Sequence, residues 1–167
     1  QDGVSQCLYS FGVMSYGDGD YEIAAQLLNE SLAIRRVIGD SVGQVETLCE
    51  LASVALGQHR LDLTRAYLIE ALAIAQDHPE MIASQLSILE ASIEYLIADG
   101  DLIRAAECTV LVSTHPNTSH ETRKEVAQCV VTLCNLIGDA EVEAAQIRGA
   151  ELKVETLCAA LLNEWKS

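Results

Sequence analysis

Carboxylates recur at alternate positions in Gly17-Asp18-Gly19-Asp20-Tyr21-Glu22, the alternation that a hard cation such as calcium asks of an oxygen-ligand loop. The run has neither the sixth-position glycine nor the twelfth-position glutamate of a calcium-binding hand. Its spacing therefore argues for a turn between helices, with Asp20 accepting from the first-turn amides of the next helix. His115 and His120 flank one loop, and with Glu121 as third ligand they could approach a metal. All four histidines, at 59, 78, 115 and 120, fall in turns or helix starts and read as solvated groups. The cysteines at 7, 49, 108, 129, 134 and 158 include no C-x-x-C pair, so they read as small reduced core residues and not as a metal or disulfide framework. No serine or cysteine sits in a glycine-rich elbow beside a base, and no phosphate-cradling G-x-x-x-x-G-K-[ST] occurs. The chain is expected to be no enzyme, with no metal and no cofactor.

What remains is recognition, and the elements that would position recognising side chains are helices. Half of the residues are hydrophobic and only 4% are aromatic; the apolar content is mostly Ala, Leu, Ile and Val, which lets helices approach closely. Apolar residues fall three and four apart, as in Leu48, Leu51, Ala52 and Ala55, or Leu86, Leu89, Ile93 and Leu96, with no strand-like alternation. The same grammar recurs three times. Phe11-Gly12 leads to Gly19-Asp20-Tyr21, then Ala24, Leu28 and Ser31; Leu51-Ala52 leads to His59-Arg60-Leu61, then Thr64, Leu68 and Ala71; Ser92-Ile93 leads to Gly100-Asp101-Leu102, then Ala105 and Thr109. The turns thus repeat every 40 or 41 residues, the mark of a repeat architecture.

The periodicity predicts helices over 3–17, 20–38, 42–57, 61–77, 80–99, 102–115, 119–137, 140–150 and 153–165. Pro79 and Pro116 sit at breaks. Ser41 with Gln44 and Thr118 with Glu121 fit capping boxes, and Asp101 and Asp139 can cap as Asp20 does. The expected fold is all-α: a right-handed α-α superhelix of about four helical pairs plus a capping helix, forming a single domain over 1–167. Its repeats run 3–40, 41–79, 80–118 and a degenerate 119–150, and the helix at 153–165, with Leu157, Leu161, Leu162 and Trp165, is the expected terminal cap.

The spacing of Leu8, Phe11, Gly12, Gly19, Tyr21, Ala24 and Leu28 resembles the tetratricopeptide repeat in an extended form. Gly19-Asp20-Tyr21-Glu22 followed by Leu28-Asn29-Glu30-Ser31-Leu32-Ala33-Ile34, and the later His115-Pro116 and Arg148-Gly149 segments, are similar to the C-terminal arrays of bacterial STAND-type ATPases and large LuxR-type regulators. The resemblance implies a sensor or interaction region, a C-terminal segment of a larger signalling protein whose nucleotide switch lies outside these residues. The second turn departs from the pattern, with His59-Arg60 in place of Gly-Asp.

Stacked helical pairs line a concave face with the first helix of each pair. Projecting the repeat offsets selects Gln6, Tyr9, Val13 and Tyr16; Glu46, Cys49, Ser53 and Leu56; Ser87, Glu90, Glu94 and Ile97; and Gln128, Thr132 and Asn135 as ligand-binding candidates. Tyr9 and Tyr16, seven apart, present two rings on one helix face. Glu46, Glu90 and Glu94 favour a ligand with basic groups. The expected partner is a protein or peptide, with a small polar ligand as an alternative class. A scaffold that self-associates through exposed repeat ends is the competing expectation. With 25 acidic and 10 basic residues the net charge is −15, which repels nucleic acid. No run of 18 apolar residues and no leader pattern occurs, so neither membrane insertion nor secretion is expected and the cytoplasm is the expected location.

Overall fold

The computed structural model describes residues 2–166. Among them are nine α-helices and no strand: α1 (Asp2–Gly17), α2 (Tyr21–Ile38), α3 (Ser41–Gly57), α4 (Leu61–Asp77), α5 (Ile82–Asp99), α6 (Leu102–Thr114), α7 (His120–Ile137), α8 (Asp139–Ala150) and α9 (Val154–Lys166). The all-α reading holds, and every helix lies within three residues of its expected place. The chain divides into two compact units, Gln1–His78 and Pro79–Ser167. The division falls between the second and third helical pairs.

In the first unit α1 packs on α2, α2 on α3 and α3 on α4. Small residues set the approach of α1 to α2. A Cβ on Gly12 would lie 2.7 Å from Leu28 Cγ, and Ser31 Oγ donates to the Ser5 carbonyl at 2.8 Å. The three aligned turns share a residue of positive φ. Gly19 and Gly100 have φ of 84° and 92°, and His59, at the matching position, has φ of 58°. The second turn therefore keeps the left-handed geometry with a residue that bears the steric cost of a Cβ there.

The caps differ from the expected ones by single residues. Asp40, one position before Ser41, caps α3 by accepting from Gly43 N at 2.9 Å. Ser119 caps α7 by accepting from Thr122 N at 3.0 Å, while the neighbouring Thr118 hydroxyl donates to the Val112 carbonyl at 2.6 Å. Asp101 caps α6 as expected, whereas Asp20 makes no side-chain cap bond to α2. Asp139 is the first residue of α8, whose cap position is Gly138.

In the second unit α6 packs on α5, α7 and α8, and α7 packs on α5. The last helix packs on α5. Trp165 meets Tyr95 edge-on with ring centroids 5.2 Å apart, and Arg104 of α6 holds Glu164 at 2.6 Å. Leu157, Leu161, Leu162 and Trp165 are all buried. With α6, α7 and α9 all packed on it, α5 buries Leu86, Ile88, Leu89, Ile93, Tyr95 and Leu96, a wider apolar stripe than a helix with one buried face needs, and leaves Glu90 and Glu94 on its remaining side.

Candidate functional site: the groove between α5 and α7

The candidate residues fall into two sets, one in each unit. In the first unit several of them surround Arg35, whose side chain is only 2% exposed. Its Nη1 donates to the Gly43 carbonyl at 2.5 Å, to Glu46 Oε2 at 3.2 Å and to Thr47 Oγ1 at 3.1 Å. Its Nη2 donates to Gln6 Oε1 at 2.8 Å, and the guanidinium carbon lies 4.8 Å from the centroid of the Tyr9 ring. Gln6, Tyr9 and Glu46 are thus engaged with a buried cation of their own chain. Tyr9 also donates its hydroxyl to Glu50 at 3.4 Å. Burial, and then the carboxylates of Glu50 and Glu46, push the Tyr9 phenol well above its usual range, although Arg35 opposes the shift.

Tyr16 packs its ring on Tyr21 across the turn, centroids 5.9 Å apart, so the two tyrosines expected side by side serve separate contacts. Val13 is half-buried, Cys49 is buried, and half-buried Ser53 donates its hydroxyl to the Cys49 carbonyl at 3.3 Å. The acidic run at 17–22 is a turn closed by its own backbone, with Asp20 N donating to the Ser15 carbonyl at 2.9 Å. His115 accepts at Nδ1 from Asn117 N at 3.2 Å. Among the described residues no three His, Cys, Asp or Glu side chains converge as metal ligands.

The second unit holds an open cleft. Between α5 and α7 a groove of about 360 Å³ is lined by Glu94, Ile97, Glu125, Gln128, Cys129 and Thr132. Glu94 and Ile97 project from α5 at i, i+3 spacing. Glu125, Cys129 and Thr132 follow one another at steps of four and three on α7, so each helix turns one row toward the groove. Of the expected site residues, Glu94 and Gln128 come together here, as do Ile97 and Thr132. Glu90 lines a smaller adjoining cleft of about 190 Å³ with Ser87, Asn117 and Thr122. Asn135 is exposed on α7 and lines neither.

Glu125 and Cys129 were not selected from the sequence, because the repeat offset pointed to Gln128, Thr132 and Asn135. The row 125, 129, 132 was visible as a second helical register on the same face. Cys129 is half-buried, and burial together with Glu94, Glu125 and Glu90 pushes its thiol up to about 11. It is therefore neutral at physiological pH, and the charge in the groove is that of the carboxylates. The groove offers an apolar floor from Ile97 and the Cys129 thiol, two carboxylates and an amide, with no positive side chain among its lining residues.

No helix among the described residues is long and apolar enough to cross a membrane. No family model matches the sequence, and no curated protein shows significant similarity to it.

Proposed function

We propose that this chain is a non-catalytic binding module of the tetratricopeptide kind that holds a peptide or small polar ligand carrying a basic group in the groove between α5 and α7. The observation that carries the reading is the pairing of Glu94 and Glu125 across an apolar floor at Ile97, on helices that α6 and α9 hold in place. A lysine or arginine side chain suits such a groove, because its aliphatic stem covers apolar surface while its head reaches the carboxylates. The neutral Cys129 thiol supports a binding role over nucleophilic chemistry, since the thiolate is the reactive form. The repeat-like turns at Gly19, His59 and Gly100 fit a sensor or interaction region of a bacterial signalling ATPase, in which occupancy of the groove would be reported to a switch elsewhere.

Selection of peptides from a random displayed library on the intact chain tests this reading. Enrichment of Lys or Arg in the selected peptides, with binding reduced about tenfold or more by Glu94→Gln/Glu125→Gln, is the expected result. Selected peptides without basic residues, or binding indifferent to both substitutions, would move the function away from this groove.

A further inference from the structure

The groove between α5 and α7 extends past Glu94 and Glu125. Toward the start of both helices its walls continue through Glu90 and Ser87 on α5 and Thr122 and Ser119 on α7, which line the adjoining cleft of about 190 Å³. Early residues of α5 meet early residues of α7 in that cleft, and later ones meet later ones in the groove of about 360 Å³, so the two helices run the same way along one furrow. Burial, and then Glu94, Glu125 and Glu90, raise the Cys129 thiol, which places all three carboxylates around one stretch of it. Among the described residues no lysine or arginine lines either cleft. The adjacent cations of α7 are turned to other partners: Arg123 donates to the Ser113 and His115 carbonyls, both at 3.0 Å, and Lys124 lies 3.6 Å from Glu121.

The spacing of the carboxylates selects the form of what they hold. Glu90 and Glu94 stand one helical turn apart, an offset of about 6 Å along the furrow. An extended chain puts every second side chain on one face at a repeat of about 6.6 Å, while neighbouring side chains point to opposite faces. A helix could match the same offset with residues four apart, but α5 and α7 pack on one another, and the furrow between two touching helices is too narrow for a third that is about 10 Å across. An extended strand also needs partners for its backbone. Ser87 and Thr132 donate their hydroxyl protons to the Ala83 and Gln128 carbonyls, so their oxygens can accept, and the Asn117 and Gln128 amides can both donate and accept.

We infer that the partner is an extended segment of another protein with two lysines or arginines at alternate positions, one head held by Glu94 and Glu125 and the other by Glu90. The inference rests on the groove reading above and specifies its occupant. Within residues 1–167 no two Lys or Arg stand two apart, so a second copy of this sequence does not supply the segment.

Fluorescence polarisation tests it, with the full chain in reductant and labelled, end-blocked octapeptides of alanine and glycine that carry two arginines. The arginines are adjacent, two apart or four apart, so that peptide charge is constant and general attraction to a chain of net charge −15 cancels. The two-apart peptide is expected to bind about threefold to fivefold tighter than the others. Glu90→Gln removes that advantage and leaves binding of a one-arginine peptide unchanged, with helical circular dichroism retained. Equal binding of all three spacings, each weakened by Glu94→Gln/Glu125→Gln, overturns the alternate spacing while the groove reading stands. A preference for arginines four apart overturns it in favour of a helical ligand. Binding indifferent to Glu94→Gln/Glu125→Gln overturns this inference and the groove reading together.

Discussion

The guanidinium of Arg35 lies against the ring of Tyr9, 4.8 Å from its centroid, and this contact ties α1 to the pair it packs beside. Arg35 occupies a position that helical periodicity assigns to the core, seven residues after Leu28 and four after Ser31. The burial of its charge is offset by hydrogen bonds to Gln6, Gly43, Glu46 and Thr47, and by the ring face of Tyr9. The fold spends on Arg35 three side chains that a binding-face reading would have offered to a ligand.

Arg35→Ala is expected to lower the stability of the chain by about 2 to 3 kcal/mol, because it removes the hydrogen bonds that tie Gln6, Glu46 and Thr47 to α2 and opens a void under Tyr9, while the Gly43 carbonyl keeps the Thr47 hydroxyl as donor. The cost stays below that of breaking a fully buried pair because Glu46 is 46% exposed and can be solvated. Urea denaturation monitored by circular dichroism measures it. A loss under about 0.5 kcal/mol would show that the cluster does not hold the hairpins together.

Stability is expected to fall in alkali. Burial is the first cause of the raised thiols at Cys108, Cys158 and Cys129, with Cys158 at about 12 and Cys129 at about 11; the Tyr9 phenol is raised in the same way. The unfolded thiols ionise near 9.0, so the unfolded state releases protons first. The contribution is fully present below pH 9 and is lost as pH rises through that value toward the folded pKa values. Denaturation midpoints in reductant between about pH 8 and about pH 10.5 test the sign. A midpoint that rises over this range contradicts the burial of these groups.

Gly149 and Gly3 are expected to respond oppositely to alanine. A Cβ on Gly149 would stand 2.6 Å from the Glu107 carbonyl oxygen and 2.9 Å from its Cα. That is backbone, and α8 would have to move off α6 to relieve it. A Cβ on Gly3 meets nothing within 4 Å. Gly149→Ala should cost about 2 kcal/mol, and Gly3→Ala should add up to about 1 kcal/mol through helix propensity. Thermal melts of the two variants decide it, and equal shifts would contradict the close approach of α8 to α6.

Trp165→Ala is expected to loosen α5 before α8. The ring is 9% exposed and packs edge-on against Tyr95, so its loss should destabilise the second unit by about 3 kcal/mol. Hydrogen exchange by mass spectrometry should show faster exchange across Ile82–Asp99 than across Asp139–Ala150. The reverse order would contradict the packing of α9 on α5.

Much of the architecture was legible because repeated turns leave repeated backbone demands. Gly19 and Gly100 mark left-handed positions, and the offset carried a positive φ to His59 without a glycine to announce it. Cap identity was less legible: Asp40 stands beside Ser41 and Thr118 beside Ser119, and periodicity cannot tell which neighbour accepts from the first turn and which bonds elsewhere. Partner choice was not legible for α9, since its apolar stripe fixes which face is buried but not that α5 is what buries it. The candidate site was legible in part. Glu94 and Gln128 meet at the groove, whereas Gln6, Tyr9 and Glu46 could be placed on Arg35 only once the helices were packed. Arg35 itself was concealed by its charge, although its register was that of a core residue.

The central claim is that the groove between α5 and α7 receives a basic side chain, and amide chemical-shift mapping with a short arginine-containing peptide tests it most directly. Saturable shifts gathered on Ile97, Glu125, Gln128, Cys129 and Thr132, lost in Glu94→Gln/Glu125→Gln, are the predicted result. Shifts gathered instead around Tyr9 and Tyr16, or dispersed over the acidic surface without saturation, would contradict it.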